Sequence, residues 1–139
     1  ERAALEAQIA RLGLASRISL PGRTETPWDE LARGQAFVLS SLVEGFPNVL
    51  LEAMSLGLPC VAFDCPSGPR EMTRDGQDAL LVPAGDRDVL RDALQRVMGD
   101  LSLRRQLGER GATAVRHRYA LASVLSEWDE LFEAVQEGR

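Results

Sequence analysis

Two glutamates, Glu44 and Glu52, flank a predicted junction between a strand and a helix, where an anion and a diol could be bound. In doubly wound sheets, ligands bind at this carboxyl end of a strand. Pro47 suits the first helical turn, because its missing N–H would have been free there anyway. The backbone N–H groups of Asn48 and Val49 are then free. Together with the helix dipole, they predict a site for an anion such as a diphosphate.

Glu52 lies just over one turn inside this helix, among apolar neighbours and on roughly the same face as Asn48. A carboxylate in such surroundings costs free energy unless it has hydrogen-bond donors. Sugar or ribose hydroxyls are suitable donors, and one carboxylate can accept two of them. We therefore expect Glu44 near the outer substituent of the anion and Glu52 on a diol further in, with both side chains beside one shared hollow. The alternative is that Glu52 faces solvent and Glu44 caps the helix, and the spacing alone favours that alternative.

The elements that must position these residues follow from the hydrophobic pattern. Four apolar runs have the length of strands, at residues 18–20, 36–41, 59–64 and 79–82. Helical spacing predicts helices over 1–14, 27–33 with Thr26 as cap, 47–56, a short segment after the turn at 67–69, a segment from 86, then 101–119 and 121–135. Because helix-like segments separate the last three runs, we predict parallel strands with crossover helices, an α/β fold.

The composition excludes several classes of function. The chain has 139 residues, which is enough for one domain, and its net charge of −5 argues against a nucleic-acid partner. All 16 basic residues are Arg, so a P-loop or Schiff-base lysine cannot come from this chain.

A lone His117 excludes a multi-histidine metal site, and the thiols of Cys60 and Cys65 fit a reducing cytosol. No G-x-G-x-x-G follows a strand, which disfavours a dinucleotide-dependent dehydrogenase.

The segment 44–71 carries a family resemblance. Its string EGFPNVLLEAMSLGLPCVAFDCPSGPRE closely resembles the donor-binding half of retaining glycosyltransferases of family 4, which have the GT-B fold of two Rossmann-like domains. Glu44 and Glu52 match the E-x7-E motif of that family, and the segment 75–86 resembles the part that follows the next helix. A motif of this length reverses the preference for the solvent-facing alternative.

The resemblance implies a role for each matching residue. Glu44 would contact hydroxyls of the transferred sugar and is the catalytic candidate, while Glu52 would hold the ribose of the nucleotide. Backbone N–H groups would meet the diphosphate and the sugar, and the residues that donate them are Phe46, Asn48 and Val49. Family members often have Gly where Pro47 stands, so one N–H is lost here.

Four further positions are secondary candidates. Gly22 and Arg23 match the loop where the family holds the nucleobase. Glu71 matches an acid near the site of the family. Arg70 is either a cation beside the phosphates or a surface arginine, and we weigh the two evenly.

The resemblance also implies an organisation for the chain. It would be one partial donor-binding domain, 1–139, with an α/β core over 1–99 and closing helices over 100–139. The first two strands of the family's sheet and its acceptor domain would be missing. We therefore expect an open or rearranged partial Rossmann-like sheet, a homodimer through exposed sheet edges, and no turnover by the isolated chain.

The expected ligand is a UDP- or GDP-sugar, and no metal or other cofactor is expected. The alternative is a non-catalytic nucleotide-binding or interaction module of the same fold. The expected location is cytoplasmic, and a peripheral position at the inner face of the membrane remains open.

Trp28 and Trp128 fit apolar helix faces, with base stacking by Trp28 as the lesser possibility. His117 fits a surface cation at a helix end.

Overall fold

Three short parallel strands form the sheet of the computed structural model, which describes residues 1–136. They are β1 (Phe37–Leu39), β2 (Cys60–Asp64) and β3 (Leu80–Pro83), in the order β1-β2-β3. Val61 of β2 lies opposite Val38 of β1 and Leu80 of β3. The central strand is buried along nearly its whole length, which explains its unbroken apolar sequence.

The described residues also form seven helices. They are α1 (Arg2–Arg11), α2 (Pro27–Ala32), α3 (Asn48–Ser55), α4 (Pro69–Met72), α5 (Arg87–Gly99), α6 (Leu101–Arg118) and α7 (Leu121–Gln136). The side chains of Asp86 and Asp100 cap α5 and α6 by accepting hydrogen bonds from backbone N–H groups at 3.0 and 2.9 Å. The predicted boundary between core and closing helices at 99/100 falls between these two helices.

Alternating side chains of β2 divide the core into two layers. Cys60 and Ala62 pack on one face against α3, α4 and the end of α6. Val61 and Phe63 pack on the other face against α5 and the start of α6. The predicted α/β class, with parallel strands and flanking helices, is therefore confirmed.

The predicted strand at 18–20 is wrong. This segment has irregular backbone outside the sheet, and the Ile18 N–H donates to the Leu14 carbonyl at 2.9 Å. The Arg2 guanidinium donates to the Leu20 carbonyl at 2.6 Å. An isolated apolar run cannot form a ladder without a neighbouring strand, and residues 1–136 provide none beside it. The sheet is open, as expected, at the free edge of β1.

Two helices lie outside the core. Neither α1 nor α7 has a buried residue. Six large apolar side chains of α7 are at least half exposed, namely Leu121, Leu125, Trp128, Leu131, Phe132 and Val135. In the described part of the chain, no helix combines the length and apolar character that crossing a membrane requires.

Candidate functional site

The start of α3 follows the carboxyl end of β1, as the sequence predicts, but its first turn differs in detail. Pro47 is the cap residue rather than the first helical residue, and its φ of −75° and ψ of 77° form an inverse γ-turn. The Asn48 N–H donates to the Phe46 carbonyl at 2.8 Å. The prediction that this N–H is free is therefore wrong. The Val49 N–H makes no hydrogen bond within residues 1–136, which leaves it available to an anion.

The loop between β2 and α4 packs directly on this turn. Gly68 has a φ of 116°, and a Cβ added there would lie 2.5 Å from Cδ of Pro47. A side chain at position 68 would therefore displace the start of α3, and the backbone angle itself favours glycine. The close contact ties the Arg70 and Glu71 segment to the α3 N-terminus.

Glu44 lies half-buried in the loop after β1, beside the end of β2. Burial raises the pKa of the Cys65 thiol, and the neighbouring carboxylates of Glu44 and Asp64 raise it further, while hydrogen bonds from the backbone at Cys65 and Glu44 oppose the increase. Cys65 is therefore a protonated, buried thiol. Its surroundings also place Glu44 at the carboxyl edge of the sheet.

Glu52 lies half-buried on the second turn of α3 and lines a cavity of about 210 Å³. The other lining residues are Trp28, Asn48, Leu51, Ser55, Val115 and Tyr119. The predicted shared face of Glu52 and Asn48 is thus confirmed. Glu44 is not among the residues that line this cavity. One hollow shared by the two acids therefore stays a prediction.

Arg70 is held by two carboxylates. Its Nη2 donates to Oδ2 of Asp64, and its Nη1 lies 3.6 Å from Oδ1 of Asp75. The hydrogen bond to Asp64 raises the pKa of this exposed guanidinium. Any contact between Arg70 and a phosphate would have to compete with Asp64.

The other secondary candidates lie outside the cavity beside Glu52. Glu71 is exposed, and its backbone carbonyl accepts a hydrogen bond from Arg118 at 3.0 Å. Gly22 has a φ of 81° in the loop before α2, and the next residue, Arg23, is exposed. Neither of these loop residues lines the cavity.

Tyr119 is a site residue that the sequence did not reveal. It lies just after α6, lines the Glu52 cavity and packs against the core, while its hydroxyl is buried without a partner among the described residues. Burial raises the pKa of Tyr119. Its position depends on the return of α6 to α3, which no local pattern encodes. Among residues 1–136, no three His, Cys, Asp or Glu side chains converge as a metal site would require.

Comparison with known proteins identifies the family. Residues 1–100 match the model of the glycosyl transferases group 1 family. The chain belongs to this family. It is 41% identical over 128 residues to an exopolysaccharide phosphotransferase of Streptomyces coelicolor, covering 89% of this chain and 13% of that protein. It is 38% identical over 97 residues to the lipopolysaccharide 1,6-galactosyltransferase of Salmonella typhimurium, covering 67% of this chain and 27% of that protein.

Solved structures agree with this assignment. A mutant of S. aureus TarM, in complex with fondaparinux, α-GlcNAc-glycerol and UDP, superposes with a TM-score of 0.84 at 25% identity, covering 94% of this chain and 26% of that one. The chain thus has the fold of the C-terminal domain of GT-B glycosyltransferases, which confirms the expected fold. The group 1 family is shown, while family 4 and retention stay predictions. It spans between about an eighth and a quarter of the length of these three proteins.

Proposed function

We propose that this chain binds the nucleotide-diphosphate sugar of a glycosyltransferase and holds it for transfer to an acceptor hydroxyl with retention. The observation that carries the proposal is the start of α3, where the Val49 N–H has no partner among residues 1–136. Glu44 lies in the loop before this helix, and Glu52 lies on its second turn beside the cavity. Membership of the glycosyl transferases group 1 family and the UDP named in the TarM complex support the proposal.

Each group has one task in this proposal. The Val49 N–H and the dipole of α3 face the diphosphate and stabilise the negative charge that grows on it as the glycosidic bond breaks. Glu52 accepts hydrogen bonds from the ribose diol, and Glu44 accepts them from the transferred sugar. These contacts fix the donor relative to the acceptor, so the site works mainly by positioning.

The site is short of positive charge. Arg70 is paired with Asp64 and Asp75, and Arg74 is bound at 2.6 and 2.7 Å to the buried Asp78. We propose that a second domain provides the acceptor site and further positive charge, so that the isolated chain binds the donor without turnover. No metal ion or other cofactor takes part in this proposal.

The names of the relatives suggest the setting. The Salmonella relative is named for lipopolysaccharide galactosyl transfer, and the Streptomyces relative for exopolysaccharide phosphotransfer. We propose a role in cytoplasmic synthesis of a surface polysaccharide, with UDP- or GDP-sugar as donor. The alternative is a non-catalytic nucleotide-binding or interaction module of the same fold. It is favoured by the Asn48 N–H, which already donates to the Phe46 carbonyl and so is lost as a donor to a diphosphate.

Calorimetric titration of the chain with UDP and GDP tests the proposal. Wild type should bind one of them, and Glu52→Gln should weaken that binding about tenfold or more, since a hydrogen bond to a charged group contributes about 1.5–3 kcal/mol. Glu133→Gln is the matched control, because it removes the same charge from an exposed position of α7. Failure of wild type to bind either nucleotide at millimolar concentration contradicts the proposal, as does unchanged affinity of Glu52→Gln.

A separate transfer assay tests the catalytic part. The isolated chain, supplied with UDP- and GDP-sugars and a mixture of acceptor glycans, should release no nucleotide above background. Sustained turnover would show that no second domain is needed.

A further inference from the structure

Trp28 is placed beside Glu52 by the short helix α2. This helix starts at Pro27, whose fixed φ suits a first helical position. Leu31, three residues after Trp28, packs against the core and therefore fixes the rotation of α2. The two positions share a face of α2, so the indole is directed towards α3, where it lines the cavity with Asn48 and Glu52.

The fold buries only part of the indole of Trp28. Trp28 remains 49% exposed, although it belongs to the residue type with the largest apolar surface. The side chain lines the cavity, and about half of its surface is open to solvent. A planar ligand could therefore cover the open half of the ring without displacing any part of the core.

The chemistry around this indole matches a nucleoside. A carboxylate accepts two hydroxyls of a diol, as in ribose, and an aromatic face stacks on a flat heteroaromatic ring. The cavity of about 210 Å³ is smaller than a typical pocket for a whole ligand, so it would take one part of the donor. The loop with Gly22 and Arg23, where the family resemblance places the base, does not line it.

We propose that Trp28 stacks on the nucleobase of the donor, so that Trp28 and Glu52 together form the nucleoside subsite. This inference rests on the proposed function, because it assigns a part of the same donor. It makes Trp28 a binding residue for the base, and Glu52 the residue for the attached ribose.

The two tryptophans of the chain allow a direct optical test. In Trp128→Phe, Trp28 is the remaining tryptophan, and its fluorescence should be quenched on titration with the nucleotide that wild type binds. In Trp28→Phe, Trp128 is the remaining tryptophan, and its fluorescence should stay constant, since it lies on α7 against Phe132. Binding by Trp128→Phe without any fluorescence change would overturn the inference.

Affinity measurements separate the base from the sugar. Trp28→Ala should bind UDP or GDP about tenfold more weakly, in the range expected for loss of one stacked base, while Trp28→Phe keeps most of the affinity. Binding of ribose 5-phosphate, which has no base, should be the same in wild type and Trp28→Ala. The control Trp128→Ala should bind the nucleotide as wild type does.

Three results distinguish the possible failures. Equal affinity of Trp28→Ala and wild type for the nucleotide overturns the stacking role. An equal loss for nucleotide and ribose 5-phosphate shows that Trp28 packs against Glu52 or the sugar instead, which also overturns it. Absence of nucleotide binding by wild type contradicts the proposed function itself. Circular dichroism shows whether Trp28→Ala folds. If it does not, the nucleotide affinity of Trp28→Phe and the fluorescence of Trp128→Phe test the stacking role instead.

Discussion

At the scale of single residues, burial determines what the two thiols can do. Cys60 is fully buried in β2, and desolvation raises the pKa of its thiol to about 12 from an ordinary value of 9.0. A neutral thiol in this position packs as a small apolar side chain. Neither Cys60 nor Cys65 has the ionised, accessible sulfur that a nucleophile requires.

The raised pKa of Cys60 predicts a loss of stability in alkali. The unfolded chain releases this proton near pH 9 and the folded chain only near pH 12, so the unfolded state is favoured as pH rises between these values. The free energy of unfolding should fall by up to about 1.4 kcal/mol per pH unit from this thiol. Urea unfolding at several pH values from 8 to 11 measures the slope.

Cys60→Ala is the control for this slope. Tyr119 and Cys65 also titrate at alkaline pH, and both remain in the variant. The variant should be less stable at pH 8 but lose stability less steeply above pH 9. Parallel curves for the two proteins would show that Cys60 does not contribute.

The sequence indicates which residue types lie near the start of α3, but the contacts of their side chains depend on the fold. Glu52 and Asn48 share a face because helical spacing alone dictates it. The pairing of Arg70 with Asp64 and Asp75 could not be predicted, because Asp75 reaches it through a turn with left-handed backbone. Such a turn is uncommon for residues other than glycine. The assignments of Glu44 to the sugar and Glu52 to the ribose remain predictions.

At the scale of elements, α6 fixes the position of α3. The two helices cross beside Gly108, where an added Cβ would overlap the carbonyl oxygen of Gly57 in the turn that ends α3. Glycine allows this close approach, and it sets the depth at which α3 lies on the sheet. The same packing brings Tyr119 into the cavity beside Glu52.

Gly108→Ala should therefore destabilise the fold by about 1–3 kcal/mol, the usual cost of overpacking, measured by urea unfolding. Gly99→Ala is the matched control, because it lies at the end of α5 with nothing within 4 Å of the added Cβ. This control should be neutral or gain up to about 1 kcal/mol from helix propensity. Equal effects of the two substitutions would contradict the role of the close contact.

The elements were predictable where a pattern persisted along the chain. The runs at 59–64 and 79–82 became β2 and β3, because buried strands need continuous apolar residues. The run at 18–20 has the same character, but a strand requires a neighbour, and that requirement is not local. The start of α3 shifted by one residue because the γ-turn at Pro47 precedes the helix.

At the scale of the whole molecule, the described residues leave several apolar surfaces uncovered. The outer edge of β1 has no strand beside it, and Val38 on that strand is 38% exposed. Six large apolar side chains of α7 are exposed as well. The homodimer through sheet edges stays a prediction, and β1 offers only the three residues Phe37–Leu39 for it.

The molecule also has a second place where an anion could bind. A cavity of about 410 Å³ lies between the end of α3 and α6, and Arg105 and Arg116 are among its lining residues. It is at the opposite end of α3 from Val49. The proposed function requires the diphosphate to bind at the Val49 end of α3.

Mapping of backbone amide chemical shifts by NMR, during titration with UDP and then GDP, tests this requirement most directly. The largest changes should fall on residues 44–52, with Val49 among the most affected, and on the residues beside Glu52. Changes centred on Arg105 and Arg116, with Val49 unaffected, would contradict the proposed function.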